Sequence, residues 1–168
     1  VMHYDEGKLV FGDFLGSPSN GLAQDALETK SPVVVVGAWG DDFGADSAGS
    51  VYVFDADATL RMSIRNPSPA VSDSFGSSVT AFRSFVLVGA RADDATASNG
   101  GATFVFDGST GSLAQSITPP ADAAYKATFG HAVAAMGSRF LVGAPGTATG
   151  RGSVYLYRAG CTAENVDQ

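Results

Sequence analysis

Acidic side chains cluster twice in this chain, each time in the same kind of loop. Asp41, Asp42 and Asp46 lie within WGDDFGADSAG, and Asp93, Asp94 and Asn99 lie in the corresponding stretch RADDATASNGG, fifty-two residues later. Several oxygen donors within about six residues of a Gly-rich loop can wrap a Ca2+ ion, which takes oxygen ligands from carboxylates and carbonyls. The same composition also makes a solvated turn, because Asp, Asn and Gly each supply turn geometry. A third version of the stretch, VGAPGTA at Val142 to Ala148, carries no aspartate at all. Two chemistries therefore stand open for these loops, a cation site and a self-contained turn.

Other reactive-looking residues carry less. Asp55, Asp57 and Thr59 in DADAT begin like an EF-hand loop, but the Gly and the closing Glu are missing, so a hairpin turn is expected. Trp39 follows the first VGA, where the other copies have Arg91 and Pro145. A Trp in a loop can anchor a partner or offer a stacking platform to a sugar, or it can pack on a neighbouring sheet. His131 has no nucleophile near it in sequence, and a hydrogen-bonded structural role is expected. GAPGTATGRGS lacks the Lys-Ser/Thr pair of a phosphate-binding loop, and no strained Ser elbow is present.

Composition limits the partners. Apolar residues make up 45% and charged residues 16% of the 168 positions, enough for a sizeable core and against disorder. The formal charge is −7 with ten Lys and Arg in all, so the clustered positive surface that tracks nucleic acid is not expected. The longest apolar stretch, around Val33 to Val36, falls far short of the roughly twenty residues that span a bilayer. One cysteine, Cys161, cannot close a disulfide within the chain; it is a free thiol or half of a bridge to another segment. A start at Val1, without a visible signal peptide, suggests a processed or partial product.

The loops are positioned by repeats. FG at Phe75 stands thirteen residues before the VGA at Val88, and FG at Phe129 stands thirteen before the VGA at Val142. A degenerate earlier copy has FG at Phe11, twenty-five residues before the VGA at Val36. After each loop comes a strand of alternating β-branched and aromatic residues: SVYVFD, ATFVFD and SVYLYR. Turn signals DADAT and DGSTG follow the first two, then outer strands ending at Ile64 and Ile117, then the Pro-rich linkers NPSPAVSDS and TPPADAAYKAT. A period of about fifty residues, four short strands per repeat and no helical periodicity describe an all-β chain of β-propeller blades, each a four-stranded antiparallel sheet. Sheets sandwiched between neighbours should be apolar on both faces, as VVVVGA, FVLVGA and RFLVGA are. Gly37, Gly89 and Gly143 would permit close approach at the crowded centre, and Phe75 and Phe129 would wedge between blades, with Gly76 and Gly130 bending the backbone.

At these residues the sequence resembles the FG-GAP repeat family, the blade unit of integrin α-subunit heads and of many secreted or surface proteins. The resemblance covers Ser31 to Ile64 and Phe75 to Arg158 well, and Val1 to Lys30 poorly. It implies a propeller working in adhesion or ligand binding outside the cell. The family's calcium loop, resembling D-x-[DN]-x-D-G-x-x-D between the first two strands of a blade, is replaced by SSVTAFRS and HAVAAMGS in the two full repeats. In the first repeat Asp13, Asn20 and Asp25 echo it with broken spacing. The expected organisation is an N-terminal strand region over 1–30, the rest of blade 1 over 31–74, blade 2 over 75–128, blade 3 without its outer strand over 129–158, and a tail over 159–168. Three blades do not close a propeller, since four would need about 210 residues. The expected function is a non-catalytic extracellular segment binding proteins or glycans, with Ca2+ as the only cofactor in view. Two alternatives stand beside it: a structural subunit completed by other chains, and the propeller domain of a secreted enzyme.

Overall fold

A computed structural model of the chain describes residues 2–5, 8–11, 33–121, 125–147 and 151–158, with the backbone pairing alone over 2–11. Twelve strands run in chain order: β1 (Met2–Asp5), β2 (Lys8–Phe11), β3 (Val33–Ala38), β4 (Ser50–Asp55), β5 (Leu60–Arg65), β6 (Phe75–Phe82), β7 (Phe85–Ala90), β8 (Ala102–Asp107), β9 (Leu113–Ile117), β10 (Ala132–Met136), β11 (Arg139–Ala144) and β12 (Ser153–Arg158). They form three antiparallel meanders, β3-β4-β5, β6-β7-β8-β9 and β10-β11-β12, and a separate β1-β2 hairpin. Among the described residues there is no α-helix. The described residues form three blades of an incomplete propeller.

Among the described residues the middle sheet has four strands and each end sheet has three. The described strands of the N-terminal region, β1 and β2, pair with each other and not with β3. Residues 12–32, which hold Asp13, Asn20 and Asp25, lie outside the described residues, as does Cys161. In blades 2 and 3 the VGA strand, β7 or β11, is the second of its sheet, whereas in blade 1 the VGA strand β3 is an edge strand among the described residues. The first strand, β6 in blade 2, meets β3 of blade 1 and β10 of blade 3 and so lines the centre.

Burial follows from the stacking order. In blade 2, β7 is buried from Val86 to Ala90 and β8 from Ala102 to Phe106, since a blade covers each face. Among the described residues blade 3 is covered on one side only, and β11 alternates, with Phe140, Val142 and Ala144 buried and Arg139 and Leu141 exposed. The expectation of two apolar buried faces therefore holds for the middle blade alone. Phe75 and Phe129 are fully buried. Each contacts aromatic rings of its own blade's third strand: Phe75 lies 5.6 Å from Phe104 and 5.8 Å from Phe106, and Phe129 lies 5.4 Å from Tyr155 and 6.5 Å from Tyr157. The wedge thus works by filling its own sheet's face, and the neighbouring blade meets its backbone.

That backbone contact requires glycine. A Cβ on Gly37 would stand 1.9 Å from the Gly76 carbonyl oxygen, and one on Gly89 would stand 2.0 Å from that of Gly130. Gly76 and Gly130 have φ of 86° and 82°, a region that side-chain-bearing residues rarely enter. At Gly143, the third equivalent, the nearest atom to such a Cβ is 3.6 Å away. The socket exists in all three blades and is filled in two.

Candidate functional site

The aspartate loops have one geometry in blades 1 and 2. The Asp41 carbonyl accepts the Gly49 N–H at 2.8 Å, and the Asp93 carbonyl accepts that of Gly101 at 2.9 Å. Each of these aspartates also turns Oδ1 back to the N–H two residues on, Phe43 at 2.8 Å and Ala95 at 2.9 Å. The second aspartate of each pair accepts the N–H five residues on: Asp42 from Ser47 and Asp94 from Asn99. Ser47 and Asn99 both have positive φ, 53° and 50°, so the carboxylate stabilises a conformation that costs an ordinary residue about 1–2 kcal/mol.

These loops hold the next blade. Asp46, Ser47 and Ala48 present their carbonyls to the N–H groups of Ser72, Ser74 and Phe75 at 2.8, 3.2 and 3.0 Å. Ser98, Asn99 and Gly100 do the same for Lys126, Thr128 and Phe129 at 3.0, 3.0 and 2.9 Å. The linker donors adopt positive φ at matching positions, Ser72 and Ser74 in one, Lys126 and Thr128 in the other. Asp42 and Asp94 thus brace the backbone clasp between successive blades, a role that turn composition alone does not disclose. Asp46 accepts the Ser47 hydroxyl at 3.1 Å.

Charge environments differ between the two loops. Tyr52 donates its hydroxyl to Asp41 Oδ2 at 2.7 Å and Arg65 lies 3.5 Å from the same oxygen. The Tyr52 hydrogen bond and, to a lesser degree, Arg65 hold the Asp41 carboxyl below the usual carboxylate range. Asp93 is only 4% exposed, and burial pushes its pKa up, helped by the charges of Asp73 and Asp94. Asp73, in the linker before blade 2, is 2% exposed and likewise raised by burial. Its Oδ2 accepts from Asn66 Nδ2 at 2.9 Å and from Ala70 N–H at 2.7 Å. Asn66 and Asp73 escaped sequence reasoning, because a Pro- and Ser-rich linker reads as solvated. Among the described residues no three His, Cys, Asp or Glu side chains converge as a metal-binding group. The DADAT stretch closes as a turn, with the Ala58 N–H bonded to the Asp55 carbonyl at 2.9 Å and the Thr59 N–H to Asp57 Oδ1 at 3.0 Å.

A cleft of about 350 Å3 opens where all three blades meet, lined by Trp39, Ser77, Ser78, Val79, Arg91, His131, Ala132 and Val133. Trp39 and Arg91 are equivalent residues, each following its VGA, while His131 follows the Gly130 bend at the start of blade 3. Trp39 is 51% exposed and lines the cleft, so it is not an inter-blade packing element. His131 is also exposed, and its imidazole has no hydrogen-bond partner among the described residues, unlike the bonded structural histidine expected. The serine hydroxyls are engaged: Ser78 donates to the Gly130 carbonyl at 2.7 Å, and Ser77 lies 3.3 Å from the Gly89 carbonyl and 3.4 Å from the Arg91 N–H. Arg91 and His131 had no sequence signal as a pair, since forty residues and a blade boundary separate them.

Comparison with known proteins agrees with the repeat geometry. No curated protein shows significant similarity to the chain. The FG-GAP repeat model matches residues 66–106 and 112–157, just over half of the chain. The first stretch runs from Asn66, which holds Asp73, through β8, and the second runs from the turn before β9 through the aromatic strand β12. With two matched repeats, the FG bends seated on VGA glycines and three meandering sheets, the chain belongs to the FG-GAP repeat family.

Proposed function

We propose that this chain is a non-catalytic, ligand-binding propeller segment of an extracellular or cell-surface protein, and that it binds through the cleft at the junction of its three blades. FG-GAP repeats are typical of extracellular binding and adhesion proteins. The observation that carries the reading is the convergence of Trp39, Arg91 and His131, one from each blade, on a single cleft. A half-exposed Trp beside convergent polar groups is the arrangement by which concave sites fix a ligand. The test is capture of matrix proteins and glycans from an array by the wild-type chain and by Trp39→Ala. Trp39 is exposed, so the variant should keep its melting temperature while losing the captured ligand by about tenfold or more. Equal capture by both would overturn the reading.

A second reading has its own observation. Blade 3 shows an open apolar side, with Met136 84% and Val154 61% exposed, beside the unfilled socket at Gly143. Such a surface suits another blade, so the chain would then be a structural subunit of a larger assembly. A molar mass by light scattering above that of one chain supports this reading, and a monomer at high concentration removes self-assembly from it.

A further inference from the structure

The cleft's chemistry narrows the class of ligand, and the inference rests on the binding reading above. The arginines of blade 1 are occupied: Arg61 pairs with Asp55, and Arg65 bonds Ser50 Oγ at 2.7 Å while lying over the Phe43 ring. Arg91 is different. It is half-buried at the cleft wall, and among the described residues its guanidinium has no carboxylate, hydrogen-bond or ring partner. Asp93 and Asp94 follow it in sequence, yet their Oδ1 atoms face the Ala95 and Asn99 N–H groups. A guanidinium fork is built to hold a planar carboxylate through two N–H groups. His131 supplies a further donor from the opposite blade.

Phosphate fits the donor set less well. Its three terminal oxygens need several further donors, whereas Ser77 and Ser78 are already committed to backbone groups. The remaining wall is apolar, Trp39 with Val79, Ala132 and Val133. The face of an aromatic ring is negative, so it attracts the weakly positive C–H groups of a saturated sugar ring more readily than a flexible peptide side chain. A cleft of about 350 Å3 lies at the small end of ligand sites, with room for about one or two sugar rings. The chain's net charge of −7 does not prevent an anion from docking here, because charges beyond about 8 Å are screened at physiological salt.

We propose that the cleft recognises an acidic sugar residue, a uronate, with its carboxylate on Arg91 and His131 and its pyranose face on Trp39. The single tryptophan makes the test direct, since fluorescence excited selectively in tryptophan, apart from the five tyrosines, reports Trp39. The chain is titrated with trimers of galacturonate, mannuronate and guluronate, with the methyl ester of each, and with the peptide acetyl-Gly-Asp-Gly-amide. At least one uronate trimer should shift or quench the Trp39 emission saturably. Its methyl ester should bind about tenfold or more weakly, because esterification removes the charge and keeps the ring. Arg91→Gln should lose the same factor at an unchanged melting temperature, and Arg91→Lys should lose less.

Equal binding of acid and ester, wild-type affinity in Arg91→Gln, or tighter binding of the peptide would each overturn the acidic-sugar assignment while leaving Trp39 as a binding residue. If no uronate alters the emission, the assignment also falls. The broader binding reading is then decided separately by the Trp39→Ala capture experiment.

Discussion

Gly89 and Gly143 occupy the same position in successive blades and should respond in opposite ways to one added methyl group. In Gly89→Ala the new Cβ would stand 2.0 Å from the Gly130 carbonyl oxygen and 2.4 Å from Ser78 Oγ. Carbon cannot approach a backbone oxygen so closely, so blade 3 must move by more than 1 Å (roughly the shortfall from van der Waals contact). Overpacking of this kind costs about 1–3 kcal/mol. The same movement stretches the 2.7 Å bond from Ser78 Oγ to the Gly130 carbonyl, a further loss of about 1 kcal/mol. Against this stands a gain of about 0.4–1 kcal/mol from the reduced freedom of the unfolded chain. The balance is a destabilisation of about 1–3.5 kcal/mol. In Gly143→Ala the nearest atom is 3.6 Å from the new Cβ, an ordinary contact, so only the entropic gain remains. Urea denaturation of the two variants, with the slope checked for constancy, measures both. If the unfolding free energies of the two variants agree to within about 0.5 kcal/mol, the socket is not a tight contact between blades and the inter-blade account fails. Should another blade dock on blade 3, Gly143→Ala becomes damaging in that assembly, which ties the pair of variants to the second functional reading.

Two further outcomes follow from the same junctions. Asp94→Ala removes the acceptor of the Asn99 N–H and should cost about 1 kcal/mol, equally in calcium and in chelator; a loss seen only with calcium, read from melting curves, would show that Asp94 serves a cation instead. Thr103 is fully buried with an Oγ1 that finds no partner among the described residues, in the register position held by Val51 and Val154 in the other blades, so Thr103→Val should stabilise the chain by about 1 kcal/mol in urea denaturation, and a destabilisation would reveal a bound water.

The repeated words of the sequence disclose the sheets well. The interval from FG to VGA places β6 against β7 and β10 against β11, and the aromatic strands after the loops are β4, β8 and β12. Pattern reading works there because strand burial and glycine packing are imposed at every blade. It works less well at the clasp. Ser72, Ser74, Lys126 and Thr128 take positive φ, which their residue types do not announce, and only the paired loop makes that conformation worthwhile. The loop aspartates signal turn and cation chemistry equally, and the difference lies in which N–H groups their oxygens meet. Trp39, Arg91 and His131 come together only because three blades stack with particular rotations. A linear text with one alternating strand pattern carries no measure of those rotations.

The clasp also bears on how such a chain grows. Its backbone bonds join Asp46 to Ser72 and Ser98 to Lys126, residues twenty-six and twenty-eight apart. Each linker therefore finds its partner in chain made shortly before, and a blade can dock as it leaves the ribosome without waiting for a distant strand. Synthesis at about 5–20 residues per second delivers the next linker within a few seconds of its loop. Assembly of this kind is vectorial, with each finished blade acting as the template for its successor. It also leaves the leading blade unsaturated at every stage, so nascent chains carry an adhesive edge until a following blade covers it.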